Sequence, residues 1–294
     1  MPFGAQVVTM VEPDSIVEAV EIMRASDGQA KYLSGGTALV LLVKMRMLAP
    51  ETLVSLRGIR DLGGWGQIGV TDSAVTIGGG VTLAQIAEHP VIGRDLPSLA
   101  HAASVVGNIR IRNAATIGGM LAEADYASDP PATLSSLGGS VVISAGVRER
   151  TMLVQDFITD FFTTALGPEE IVTGISIPRP APGTRSVYLK FSSRSAEDRP
   201  CVGVAACGRF EGQDLAGLRV VVGAVAGRPQ WFPEITAPYC GRRLTDVDIQ
   251  TIAEAHADSI DPIADIRGSE WYRREVVLGQ VSRALLRIRD LEVA

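Results

Sequence analysis

Cysteine and histidine are scarce in this chain of 294 residues, at three each. Cys201, Cys207 and Cys240 form no C-x-x-C pair, and an iron–sulfur cluster needs four thiolates or equivalent ligands, so no cluster is expected here. Cys201 and Cys207 lie in an apolar, strand-like run and read as small buried hydrophobes; a reducing cytoplasm suits them. His89, His101 and His256 are scattered, with no carboxylate at a metal-binding spacing, so no metal is expected either. Basic clusters are missing: the formal charge is −6 and no dense Lys/Arg run occurs, which argues against nucleic acid as a partner. No apolar run reaches the length of a membrane span. Met1-Pro2-Phe3-Gly4 has neither the basic nor the long apolar region of a secretory signal. There is also no Walker A loop and no Gly-x-Gly-x-x-Gly on a βαβ unit, so any nucleotide bound here is held in another way.

Glycine, by contrast, is plentiful, at 31 residues. Two glycine pairs share a context. Leu33-Ser34-Gly35-Gly36-Thr37-Ala38-Leu39 follows strand-like Lys31-Tyr32-Leu33 and precedes helix-like Val40–Lys44. Thr116-Ile117-Gly118-Gly119 leads to Asp125 and Asp129. Paired glycines after a strand let the backbone turn tightly and approach a ligand closely. Successive N–H groups in such a turn make a concavity suited to phosphate, and Ser34, Thr37 and Thr116 add hydroxyls beside them. Two such loops face to face would grip a pyrophosphate, which points to a dinucleotide. A Gly-Gly pair alone usually marks a turn, and further glycine runs occur at Gly63-Gly64, Gly78-Gly79-Gly80 and Gly138-Gly139.

Length and composition, 46% hydrophobic and 20% charged, fit a globular chain of two or three domains. In residues 1–56, Ser15-Ile16-Val17-Glu18 reads as a capping box opening an amphipathic helix. Strands at Ala30–Leu33 and Thr52–Leu56 flank the first glycine loop and a helix, a βαβ-like unit with parallel strands. Residues 57–178 begin with a hairpin, Gln67–Val70 and Ala74–Ile77, turning at Thr71-Asp72-Ser73. Thr82-Leu83-Ala84-Gln85 is a second capping box, Leu96–Val106 a further helix, and Ser140–Ile143 and Ile171–Ile175 strands of an α+β domain. Pro178-Arg179-Pro180-Ala181-Pro182-Gly183 is a hinge of the kind that separates domains. In residues 179–294, strands are expected at Ser186–Phe191, Val202–Phe210 and Leu218–Val225, and helices at Asp246–Ala257 and Glu270–Arg289.

Four stretches together resemble one known family. Ser34–Leu39 with Lys44-Met45-Arg46 and Pro50 is similar to the first flavin loop of the FAD-binding medium subunits of molybdenum hydroxylases, the carbon monoxide dehydrogenase and xanthine dehydrogenase type. Gly107–Asn113 followed by Thr116-Ile117-Gly118-Gly119 resembles the second flavin loop, and Ala124–Pro130 the segment after it. Asp261–Ser269 with Tyr272-Arg273-Arg274 resembles the C-terminal signature. The resemblance implies an α+β, vanillyl-alcohol-oxidase-type FAD-binding fold: two α/β subdomains clasp the cofactor, and a C-terminal domain with a three-stranded antiparallel sheet and helices leans over them. It places Leu33 to Leu39 along the pyrophosphate, with Thr116, Ile117, Gly118 and Gly119 opposite. It has Asp129 accept from a cofactor hydroxyl and Lys190 lie near the flavin ring. Met120 stands where the family commonly has Asn, and Arg199 where many relatives are apolar or aromatic. The cysteine-rich insert of some relatives should be absent.

The function so implied is that of the FAD subunit of a heterotrimeric molybdenum hydroxylase. Electrons would come from a small [2Fe–2S] subunit, after a molybdopterin-containing large subunit oxidises the substrate, and would leave to an external acceptor. A dimer of heterotrimers in the cytoplasm is expected. The alternatives are a self-contained FAD-dependent oxidoreductase of the same superfamily and a non-catalytic assembly protein that kept the fold. No acid/base constellation supports the first of these.

Overall fold

The computed structural model describes residues 8–60 and 64–291. Met1–Gly4, read above for a leader, lie outside the described residues. The chain begins with β1 (Thr9–Val11), α1 (Ile16–Ala25), β2 (Ala30–Leu33), α2 (Leu39–Lys44) and β3 (Thr52–Ser55), and the three strands form a parallel sheet in the order β1-β3-β2. Ser15 caps α1 by accepting from Glu18 N. The reciprocal half of the expected capping box is shifted by one residue, since the Glu18 carboxylate takes Asp14 N at 2.9 Å. Ile16, Ala19 and Val20, at helical spacing, bury against Ala30, Val54 and Leu56.

Next come the hairpin strands β4 (Ile68–Val70) and β5 (Ala74–Gly78) and six short helices: α3 (Leu83–Glu88), α4 (Pro90–Asp95), α5 (Pro97–Ser104), α6 (Ile109–Ala114), α7 (Ile117–Glu123) and α8 (Pro130–Ser136). Strands β6 (Ser140–Ser144) and β7 (Glu149–Leu153), helix α9 (Val154–Phe157), the small hairpin β8 (Ile158–Asp160) and β9 (Thr163–Thr164), and β10 (Ile171–Pro178) follow. Five of these strands form an antiparallel sheet in the order β4-β5-β10-β6-β7. The helices cover one apolar core that includes Ile77, Leu83, Ile86, Leu99, Ile117, Leu121 and Ile143. Thr82 makes the full capping box with Gln85, as its spacing requires.

The third sheet holds the expected long strands β11 (Thr184–Phe191), β12 (Val202–Glu211) and β13 (Asp214–Gly223), all antiparallel. It is widened by the two-residue strands β14 (Gln230–Trp231) and β15 (Arg242–Arg243), and helix α10 (Pro233–Thr236) lies between these in sequence. Helices α11 (Asp246–Ser259) and α12 (Glu270–Asp290) bury Ile249, Ile252, Val277, Val281, Leu285 and Ile288 against Val204, Val220 and Val222. Each fully buried Val, Leu or Ile contributes about 1.5–3 kcal/mol by leaving water, which fastens the helices to the sheet. A smaller apolar cluster, Ala102, Ala132, Tyr188, Ala205 and Val221, joins α5 and α8 to this sheet. None of the helices among the described residues is long and apolar enough to cross a membrane.

Candidate cofactor-binding site

The first glycine loop leaves β2 and runs, half-buried, into α2. Gly36 has φ +73°, the left-handed region that a β-carbon disfavours. Gly35 is glycine for a different reason: a Cβ there would collide with the backbone carbonyl of Ala114 at the end of α6. Among the described residues, the N–H groups of Gly35, Gly36, Thr37, Ala38 and Leu39 have no protein acceptor, and Val40 N is the first to find one, in Gly36 O. Ala38 at the start of α2 has no side-chain cap. A half-buried run of uncommitted donors is costly unless an acceptor arrives from outside. An anionic, oxygen-rich pyrophosphate fits it.

The second glycine motif is not a loop, which corrects the expectation above. Thr116 is the N-cap of α7, and Gly118 and Gly119 lie in its first turn. The amides expected to face a phosphate are spent inside the protein. Ile117 N donates to Val81 O, Gly118 N to Gly79 O, and Gly119 N to the Thr116 hydroxyl at 3.2 Å. Gly118 has no room for a side chain, since a Cβ would sit 2.7 Å from Gly79 O. The motif instead buttresses the first loop. The hydroxyls of Ser34 and Thr116 share a hydrogen bond of 2.8 Å, and a Cβ on Gly119 would stand 3.6 Å from Ser34 Cβ. The two motifs meet as expected, but only the first presents free amides.

Asp129 and Lys190 meet each other. Asp129 begins α8, Lys190 lies on β11, and Lys190 Nζ stands 3.2 Å from Asp129 Oδ2 while donating to Val105 O at 2.8 Å. Tyr188 donates to Asp129 Oδ1 at 2.7 Å. Asp129 is 2% exposed, its carboxylate is held against the third sheet by Tyr188, and Lys190 is its counter-ion. Burial pushes the Asp129 carboxyl up to about 6, against the pull of Lys190 and Tyr188.

The two departures from the family pattern have distinct places. Met120, within α7, is partly buried against the apolar core. Arg199, in the loop between β11 and β12, pairs with Asp125 at 2.6 Å. Glu123 lies nearby, its carboxyl raised by burial and by Asp125. A further cluster was not foreseen as a unit. Tyr126 donates to Asp265 Oδ2 at 2.6 Å, Arg267 Nη1 reaches both, and the fully buried Arg273 donates to Asp265 Oδ1 at 2.6 Å and to the carbonyls of Cys201 and Ala224. Burial works to raise the Asp265 carboxyl, but these donors outweigh it and hold the group well below the usual carboxylate range. The C-terminal signature is therefore a strut between the third sheet and the segment after α7. Its signal was available: Arg273 occupies the same helical stripe as Val277, Val281, Ala284, Leu285 and Ile288. Cys201 is buried in the core as expected, whereas Cys207 is only half-buried; desolvation raises the Cys207 thiol to about 11. No metal-binding group of three or more His, Cys, Asp or Glu occurs among the described residues.

Comparison with known proteins identifies the family. Residues 5–180 match the FAD binding domain in molybdopterin dehydrogenase, and residues 187–288 match the CO dehydrogenase flavoprotein C-terminal domain. The glyceraldehyde dehydrogenase medium chain of Sulfolobus acidocaldarius is 30% identical over 267 residues, covering 91% of this chain and 93% of that one. The carbon monoxide dehydrogenase medium chain of Afipia carboxidovorans is 31% identical over 283 residues, covering 94% and 95%. Among solved structures, a carbon monoxide dehydrogenase from Hydrogenophaga pseudoflava superimposes with a TM-score of 0.89 at 29% identity, covering 95% and 96%. Quinoline 2-oxidoreductase from Pseudomonas putida 86 gives 0.88 at 26%, covering 98% of both. The fold and its matches define a flavoprotein of the α+β, vanillyl-alcohol-oxidase type. The chain belongs to the family of FAD-binding medium subunits of molybdenum-containing dehydrogenases; its cofactor is FAD and its class is oxidoreductase.

Proposed function

We propose that this chain is the electron-transfer subunit of a heterotrimeric molybdenum hydroxylase. It receives electrons from the [2Fe–2S] centres of a small partner and passes them to an external acceptor. A molybdopterin-containing large subunit oxidises the substrate, and two heterotrimers pair in the cytoplasm. Residues 1–56 and 57–178 form the two FAD subdomains and residues 179–294 the C-terminal domain. The observation that carries this reading is the run of uncommitted amides from Gly35 to Leu39, inside a chain whose relatives are medium chains of dehydrogenases.

Bound FAD supplies a carrier that takes up and releases electrons, while the protein binds and orients it. Leu33 to Leu39 hold the pyrophosphate through the free amides and the Thr37 hydroxyl. Thr116, Ile117, Gly118 and Gly119 fix the shape of that loop from behind. Asp129 and Lys190 serve the site by locking α8 to β11. No side chain is assigned a proton-transfer role, so the chemistry that produces the electrons belongs to another chain. The test is to co-express the chain with the reading frames encoded beside it, purify by size exclusion, and follow flavin absorbance anaerobically as substrate is added. Flavin in the complex is expected to bleach, and flavin in the isolated chain to stay oxidised. An isolated chain whose flavin is reduced by a small substrate would overturn the proposal in favour of a self-contained flavoenzyme.

A further inference from the structure

The proline-rich segment after β10 borders a cavity lined by none of the residues assigned to the flavin. Its volume is about 350 Å³, at the lower end of the roughly 300–1,000 Å³ of small-molecule pockets. Pro180, just past β10, Leu153, the last residue of β7, and Leu137, just past α8, give it apolar walls. The floor is the third sheet, where Arg209 lies opposite Gly217 and Cys207 opposite Arg219 in the register of β12 and β13. Side chains alternate along a strand, so Arg209, Gly217 and Arg219 share the face of Ala205 and Val221, which Ala132 of α8 covers. Helix α8 stops at Ser136, and past its end the face is open: a Cβ on Gly217 would meet nothing within 4 Å.

The charge of this cleft is opposite to that of the whole chain. The chain carries −6, yet Arg179, Arg209 and Arg219 line the cavity and no Asp or Glu does. Two of the three have a carboxylate of their own: Arg179 pairs with Asp95 at 3.0 Å and Arg209 with Glu211 at 2.5 Å. Arg219 has none among the described residues. Its half-buried guanidinium lies over the Trp231 ring at 4.8 Å and has one long contact, 3.5 Å, to the carbonyl of Ser135 near the end of α8. A guanidinium carries five donors, so most of those on Arg219 are left to spare.

We infer that this cleft binds a small organic carboxylate, with Arg219 taking the carboxylate head and Leu137, Leu153 and Pro180 enclosing an apolar body. One unmatched positive charge calls for a singly charged head, whereas a phosphate monoester carries about −1.5 to −2. The planar fork of arginine matches the two oxygens of a carboxylate and binds them through charge-assisted hydrogen bonds. Gly217 supplies the room: any larger side chain on that row of the sheet would project into the cavity.

The test is calorimetric titration of the flavin-loaded chain with 1-naphthoate, 1-naphthamide, 1-naphthyl phosphate and inorganic phosphate. 1-Naphthoate should bind saturably. The amide keeps the apolar body without the charge, and inorganic phosphate keeps charge without the body, so each should bind about ten-fold more weakly or worse. Arg219→Met should weaken 1-naphthoate by about ten- to a hundred-fold. Gly217→Phe fills the cavity from a position with free space and should abolish binding with an unchanged circular dichroism spectrum, which decides the matter even if Arg219→Met fails to fold. Arg148→Met, exposed between β6 and β7, should bind like wild type. No saturable binding of 1-naphthoate to the wild type, or wild-type affinity in Gly217→Phe, would overturn the site. An amide that binds as tightly as the acid, or a naphthyl phosphate that binds more tightly, would overturn the carboxylate assignment.

Discussion

Lys190→Met leaves the Asp129 carboxylate buried with no cation. Asp129 is 2% exposed and the Lys190 side chain 7%, so little solvent is at hand to replace the lost ammonium. Removing one member of a buried ion pair costs about 3–5 kcal/mol, because the remaining charge is uncompensated. The cost depends on pH. The folded-state pKa of Asp129, about 6, lies above its ordinary 3.8, so the folded protein holds the proton more tightly than the unfolded chain does. The wild type therefore loses stability from this group as pH rises from about 4 to about 6. Without Lys190 the carboxyl rises further, so the loss should grow and extend to higher pH. The assay is urea unfolding of wild type, Lys190→Met and the double variant Asp129→Asn/Lys190→Met at pH 5 and pH 8. Fluorescence of Trp231, which packs on the Tyr188 cluster, reports the interface. Lys190→Met should be destabilised by about 3–5 kcal/mol at pH 8 and clearly less at pH 5, and the double variant should recover part of the loss, since it strands no charge. A Lys190→Met protein as stable as wild type at pH 8, or a cost that ignores pH, would refute the account of this pair.

Two further outcomes follow from other parts of the structure. Asp265→Asn removes the carboxylate that neutralises the buried Arg273 and should destabilise the protein by about 3–5 kcal/mol in chemical denaturation. Because the Asp265 carboxyl is held low, its contribution is complete above the ordinary pKa of 3.8 and fades as pH falls through the folded value, so the variant should show a flatter acid-unfolding profile than wild type. Neither glycine motif contains His or Cys, so the flavin should be held without a covalent bond. Acid precipitation is expected to leave all the yellow colour in the supernatant; colour in the pellet would contradict this.

Local signals carried much of the fold. Ser15, Thr82 and the Thr71-Asp72-Ser73 turn are read from residues a few positions apart; the Thr82 box and the turn form as their spacing requires, and Ser15 caps its helix although the return bond to Glu18 comes from Asp14. The first glycine loop was legible for the same reason, since strand, loop and helix are contiguous. The second motif was misread because Gly118 and Gly119 have low intrinsic helix propensity. Tertiary contacts with Gly79 and Val81 and the Thr116 cap override that preference. Strand β7 was missed because four of its five residues are exposed, leaving no apolar alternation. The Asp129–Lys190 pair joins positions 61 apart, and no spacing rule reports such a contact. Its burial depends on how α8 meets β11, which only the assembled sheet decides.

The central claim is that the first glycine loop holds FAD through its backbone, and Gly36 tests it most directly. At φ +73° a β-carbon costs roughly 1–2 kcal/mol. Here it would also press on Leu33 Cδ1 at 3.1 Å and Val40 Cγ2 at 3.3 Å, so Gly36→Val must move the loop and disperse the aligned amides. FAD titration of the apoprotein, with circular dichroism on the same samples, separates binding from folding. Gly279→Ala, where a Cβ meets nothing within 4 Å, serves as the control. Wild type and control are expected to bind about one FAD per chain, and Gly36→Val to stay folded and lose about a hundred-fold in affinity, near 2.7 kcal/mol. A folded Gly36→Val protein that binds FAD as tightly as wild type would contradict the account.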